Sequence, residues 1–211
     1  MKKYLTEFIG TFFLVLTACF AVARAGTNAP LAIGAALMVM VYMGGPISGG
    51  HFNPAVSIAA FLSRKLAGAD LIPYFIAQLA GALAAAAIGA WALGSSFAPA
   101  PAPTTTGMQA LAVEFLFTFA LCLVVLNTAT SKRSAGNSYF GLAIGFTVVA
   151  GVYAAAPVSG GALNPAVGVG LILVNAVAAK GSLGNAWLYI VGPCLAAFAA
   201  SRVFDFQEAN A

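Results

Sequence analysis

The sequence predicts an all-α membrane protein of six spanning helices plus two re-entrant half-helices, arranged as an inverted repeat. Three observations carry this. The chain is 62% hydrophobic and 7% charged, with mean hydropathy +0.98. Soluble domains carry about 25% charged residues, so a soluble fold is excluded. Six apolar stretches have the length of about 20 residues that crosses a bilayer. Finally, residues 31–56 and 142–167 are copies of one pattern, aligned without a gap at an offset of 164 − 53 = 111 residues, with 14 identities in 26 pairs. Each copy ends in Asn-Pro-Ala, at Asn53-Pro54-Ala55 and Asn164-Pro165-Ala166.

The first predicted span covers 5–23. Lys2 and Lys3, the apolar run and residues 21–25 (AVARA) also have the form of a signal peptide. The run is long for that, and Glu7 interrupts its start. The second span, 31–48, ends in a Gly-rich break, followed by a half-helix over 54–62 and a third span over 71–93. The linker at 96–106 lies within a run rich in Pro, Ser and Thr, an extended loop outside the membrane. Spans over 108–129 and 139–157, a half-helix over 165–177 and a last span over 183–204 complete the chain. The two half-helices are too short to cross alone and read as re-entrant.

The halves 1–95 and 107–211 form one channel-like domain over 1–211. Three crossings per half is an odd number, so the second half is inverted relative to the first. Inverted repeats place their site near the midplane, between broken helices. With both termini in the cytoplasm, Lys2, Lys3, Arg64, Lys65, Lys132, Arg133 and Arg202 fall on that side, and only Arg24 and Lys180 on the other. Seven against two is the positive-inside bias. It accounts for the sequence pI of about 9.1 with no nucleic-acid partner. Cys19, Cys122 and Cys194 lie inside predicted spans, where an odd count suggests packing, not disulfides or a metal. Nothing in the chain calls for a cofactor.

Asn53 and Asn164 stand at helix N-cap positions, with Pro54 and Pro165 at the first helical position, where the missing N–H costs nothing. Two half-helices would then point their N-termini at each other, each with roughly half a positive charge. The Asn amides are expected to stay free to donate into the space between. Such a constriction attracts oxygen lone pairs and repels cations, a migrating proton included. Gly49, Gly50, His51 and Phe52 precede the first motif, and Gly160, Gly161, Ala162 and Leu163 the second. Non-helical backbone at membrane depth survives only when buried in protein or lining a wet cavity. Carbonyls of these segments are therefore expected to line a narrow path for neutral hydroxylated molecules. Glu7 and Glu114 open the two halves in related contexts, TEFIGTF and VEFLFTF. Carboxylates are costly in hydrocarbon, so both should face the interior and be paired.

Together these residues resemble the aquaporin (major intrinsic protein) superfamily. The resemblance spans essentially the whole chain: both Asn-Pro-Ala boxes, the Glu-Phe-x-x-x-Thr starts, Ser48-Gly49-Gly50-His51-Phe52-Asn53, and Gly192-Pro193 in the last helix. It implies six spans with two half-helices, one pore per subunit of a homotetramer, and a plasma-membrane location. It implies that Glu7 and Glu114 brace the pore loops and that His51 is structural. A proton relay through the glutamates would need more intramembrane ionisable groups, and a metal at His51 would need further ligands.

The chain departs from the family at the filter. Most relatives have Arg directly after the second box; here it is Val167. Alignment to the family places the other filter positions at Ile33, Val152 and Gly161. Water-specific relatives usually carry an aromatic and a His at the first two, and glycerol channels keep the Arg with aromatics. Gly168 stands where glycerol channels have Asp. Losing the Arg removes a charge and several donors, and losing the rings removes bulk. The resemblance then points to bacterial channels for metalloid hydroxyacids, with arsenite-like solutes, polyols and some water as cargo. A water-selective pore with an unusual filter and a secondary transporter with alternating access stay open. No nucleophile–base pair or carboxylate pair supports an enzyme.

Overall fold

The computed structural model describes residues 1–209. They form eight α-helices: α1 (Lys2–Arg24), α2 (Ala29–Ser48), α3 (Pro54–Leu62), α4 (Gly68–Leu93), α5 (Gly107–Val125), α6 (Phe140–Ser159), α7 (Pro165–Ala179) and α8 (Leu188–Ala209). No strand occurs among the described residues. Six segments are long and apolar enough to cross a membrane: α1, Gly26–Ser48, α4, Gly107–Thr130, α6 and α8. The nine residues of α3 and fifteen of α7 reach about 14 and 22 Å at 1.5 Å per residue, short of a hydrocarbon core of about 30 Å. An even number of crossings leaves both termini on one face, the termini side; the loop between α4 and α5 lies on the other, the linker side.

Element ends differ from the sequence expectation by a few residues. The last helix begins at Leu188, not 183, because residues around Gly181 and Gly184 turn instead. Beyond α5 the chain forms a π-helical turn over Leu126–Thr130, where Thr128 and Thr130 return their hydroxyls to the carbonyls of Val124 and Leu126. That back-bonding competes with the regular ladder. Helix α1 begins at Lys2, since Lys3 finds a partner in Asp70 at 2.5 Å and Tyr4 donates to the same carboxylate at 2.7 Å.

Packing repeats between the halves. Helix α1 lies against α2 and α4, and α5 against α6 and α8. The half-helices are exchanged: α3 of the first half packs on α8 of the second, and α7 of the second packs on α4 of the first. Helices α2 and α6 cross each other on equivalent residues, Gly34 and Gly145, since 145 − 34 = 111. A Cβ on Gly145 would sit 2.6 Å from the Gly34 carbonyl oxygen, and one on Gly34 would sit 3.0 Å from the Val149 nitrogen. Both obstacles are backbone, so they cannot swing aside.

The halves differ where large and small residues have changed places. Phe52 is fully buried against Gly10 and Gly44, and a Cβ on Gly44 would meet its ring at 2.7 Å. In the second half the smaller Leu163 packs against Gly151, and Phe117 stands at the position equivalent to Gly10.

Replacing Gly145 by Leu should separate α2 from α6 and cost about 1–3 kcal/mol or more. Thermal unfolding in detergent is expected to show a lower midpoint for this variant than for Ala at the lipid-facing Phe146, which is exposed.

Candidate pore and its constriction

Each half-helix starts from the same four-part device. The spanning helix before it ends at a glycine with positive φ, Gly49 (89°) or Gly160 (91°), followed by a second, Gly50 (63°) or Gly161 (64°). Only glycine takes such a pair at no steric cost. Two residues on, Phe52 (49°) and Leu163 (50°) are also left-handed, at about 1–2 kcal/mol each for residues with a Cβ. Asn53 and Asn164 then return to extended backbone, with φ of −157° and −160°. Each caps its own helix: Asn53 accepts from the Ala55 N–H, and Asn164 from the Ala166 and Val167 N–H groups.

The glutamates hold the strained segments. Glu7 Oε1 accepts from the Ser48 hydroxyl (2.7 Å) and the His51 N–H (3.0 Å), and Oε2 from the Phe52 N–H (2.7 Å). Glu114 repeats this with Ser159 (2.7 Å), Ala162 (3.0 Å) and Leu163 (2.8 Å). Both carboxylates are fully buried, and charge-assisted bonds of this kind offset the loss of water. Tyr74 and Tyr189 donate to the carbonyls of Ser48 (2.6 Å) and Ser159 (2.5 Å), fixing the end of each preceding helix.

The two segments are then tied to each other. Asn53 Nδ2 donates to the Leu163 carbonyl (2.9 Å), and Asn164 Nδ2 donates to the Phe52 carbonyl (2.8 Å). The sequence suggested amides wholly free to face the solute. The structure commits one hydrogen of each to this cross-tie, leaving the other. It also takes up the Phe52 and Leu163 carbonyls, which were expected as lining acceptors.

A cavity of about 430 Å³ runs past this junction. Ile33, Val152, Gly161 and Val167 all line it, as do Asn53 and Asn164. So do Gly50, His51, Gly160, Ala162 and Leu163. Gly49 instead lines a second cavity of about 720 Å³ on the termini side, and Phe52 lines neither. His51 and Val125 line both and stand between the two spaces. No charged side chain lines the first cavity among the described residues; Lys3, Lys65, Lys132 and Asp70 line the second.

Several contributors had no signal in the repeat pattern. Gln78 Nε2 donates to Glu7 Oε2 (2.8 Å) and lies 3.0 Å from Ser57 Oγ. Ser57 Oγ lies 3.2 Å from the Asn53 carbonyl. Ser57 Oγ also lies 3.0 Å from His51 Nδ1, which ties the ring into the network. Positions equivalent to His51, Ser57 and Gln78 hold Ala162, Gly168 and Pro193, so the second half has no such network. Gly168 has a steric reason: a Cβ there would lie 2.8 Å from Tyr189 Cγ. No cluster of metal-binding side chains occurs among the described residues, and the three cysteines are free.

Six apolar spans around an uncharged cavity that passes between two opposed half-helix ends define a membrane channel. The profile of the Major intrinsic protein family matches residues 1–204. Glycerol uptake facilitator protein-like 6 of Lactiplantibacillus plantarum is 42% identical, over 99% of this chain and 100% of the relative. Aquaporin NIP1-1 of Zea mays is 36% identical, over 97% of this chain and 74% of its own length. The aquaglyceroporin from Plasmodium falciparum superposes with a TM-score of 0.85 at 22% identity, over 97% of this chain and 95% of that one. The chain belongs to the major intrinsic protein family: it is an integral membrane channel of the water and small-solute type, and not an enzyme.

Glu7→Gln should place an amide donor among the four donors that Glu7 now accepts, breaking at least one bond at a cost of about 2 kcal/mol. The expected result is a lower unfolding midpoint together with reduced solute flux per folded protein in liposomes. Unchanged flux and midpoint would remove the bracing role.

Proposed function

We propose that the chain is a passive channel for small neutral hydroxylated solutes, with metalloid hydroxyacids such as arsenite and polyols such as glycerol as cargo and water as a lesser one. The observation that supports this is the convergence of Ile33, Val152, Gly161 and Val167 on one cavity without a charged side chain. A ring of these residues lacks the arginine charge and the aromatic bulk of narrow filters. It sorts weakly by size and costs water its hydrogen bonds. Similarity to a protein named as a glycerol uptake facilitator supports the polyol part. The missing Arg, shared by resemblance with metalloid-permeable channels, supports the arsenite part.

In this reading Asn53-Pro54-Ala55 and Asn164-Pro165-Ala166 form the midplane constriction. Residues 1–95 and 107–211 are inverted halves of one domain, joined by the linker at 96–106. The seven cationic residues on the termini side support a cytoplasmic orientation for that side, in a plasma membrane, with four copies assembled as in the family.

Stopped-flow measurements on proteoliposomes test the reading. Wild type should pass arsenite and glycerol, and Val167→Arg should lower both by about tenfold, since a charged fork narrows the ring. High water flux without arsenite or glycerol flux would overturn it. Proton current should be larger in wild type than in Val167→Arg, because only the half-helix dipoles then oppose protons. Equal currents would show that position 167 plays no part in exclusion.

A further inference from the structure

We propose that Phe97, from the linker between α4 and α5, is a size-determining wall of the pore. It supplies aromatic bulk that the four filter positions lack. The inference rests on the filter reading above.

Phe97 lines the same cavity as Val167 and Leu171. Val167, Leu171 and Asn175 follow one another at four-residue spacing along α7, so they form one stripe running from the midplane outward. Val167 and Leu171 face the cavity, and Asn175 Nδ2 donates to Ser96 Oγ at 3.1 Å, holding the residue before Phe97. Phe97 also packs against the cluster containing Val15, Cys19, Ala86 and Leu171. Its ring is thus wedged between the pore and the packed helices behind it, not free in the loop.

A second pin follows five residues later. The Ala102 N–H donates to the Val158 carbonyl at 3.0 Å. Pro99 is buried and also lines the cavity. The absence of a side chain on Gly160 makes room for it: a Cβ there would lie 2.9 Å from Pro99 Cβ and 2.8 Å from the Ala100 nitrogen. The linker is therefore fastened at Ser96 to α7 and at Ala102 to the end of α6, with Phe97 and Pro99 between. Tyr153 is the other phenyl-type ring lining this cavity, and it is nearly half exposed. A neutral side chain at 167 leaves the space beyond it apolar, where a ring packs without stranding a charge.

The test is the relative permeability of glycerol and of four- and five-carbon polyols in proteoliposomes, read as ratios so that differences in protein amount cancel. Phe97→Ala should raise the five-carbon to glycerol ratio by about threefold or more, and Phe97→Trp should lower it. An unchanged ratio in both would overturn the proposal. Phe97→Cys provides an arm independent of packing. A charged methanethiosulfonate reagent added from the linker side should block glycerol flux in this variant and not in wild type. Labelling without block would overturn it. Val167→Arg in the same panel separates the two readings. If it shifts the ratios while the Phe97 variants do not, the filter stands and Phe97 is structural. If neither shifts them, both fail.

Discussion

Backbone unwound inside a bilayer must have its N–H and C=O groups met by protein, and that constraint organises this molecule. Five residues between each spanning helix and its half-helix would otherwise present polar groups to hydrocarbon. Glu7 and Glu114 take the N–H groups, and Asn53 and Asn164 take the carbonyls of the opposite segment. The second pair matters most. The carbonyls of Phe52 and Leu163 are met only from the opposite half, so the half-helices must meet. Burying Phe52 and Leu163 in left-handed conformations follows from this, since that turn aims each carbonyl across the junction. The exchange of α3 and α7 between the halves is the same requirement seen in helix packing.

Equivalence of the halves ends at the bond network. The first half carries His51, Ser57 and Gln78 around Glu7; the second carries Ala162, Gly168 and Pro193. A frame that is symmetric in backbone therefore encloses a path that is not symmetric in polarity. The termini-side portion offers the His51 imidazole and leads to a vestibule with four charged side chains. The linker-side portion is walled by aliphatic groups and the rings of Phe97 and Tyr153, with backbone from the Gly160–Ala162 segment.

The fold was legible because its signals are local and repeated. Apolar length gave the spans. The gapless offset of 111 gave the two breaks and the Asn-Pro caps. The glutamates were legible as buried and paired, since charge in a span has few alternatives. The tyrosine clamps were not, and the reason is register. Glu7 and Glu114 are 107 apart, the asparagines 111, and Tyr74 and Tyr189 115. Each connection in the second half is longer by four residues, so a fixed-offset comparison loses the equivalence. Gln78 was invisible for another reason: its counterpart is Pro193, so no repeat marked it. The exchange of Phe52 with Gly10 for Leu163 with Phe117 is legible only in three dimensions, because each partner looks unremarkable alone. Phe97 lies in a segment read as an extended loop, whose composition gives no hint that both its ends are fastened.

The chemistry of the path bears on what the proposed cargo must look like. A solute at the junction meets two amide hydrogens, one remaining on each asparagine, fixed in direction by the cross-ties. Next to them stand Val56 and Val167, equivalent residues with no polar atoms in their side chains. Water in such a place exchanges up to four bonds for fewer, and bare aliphatic wall returns nothing. A polyol loses less. Its oxygens can accept from the asparagines while its C–H faces lie on the valines, and its hydroxyls can donate to backbone carbonyls. A small uncharged hydroxide of a metalloid shares that division into acceptor oxygens and weakly hydrated bulk. An ion shares none of it, because the half-helix ends repel a cation and the aliphatic ring strips any charge of water without replacement. In the proposed reading, position 167 acts less by what it contacts than by what it withholds. On that reading, leaving out the arginine shifts discrimination from charge and width at one ring to the match between an amphipathic solute and an amphipathic wall.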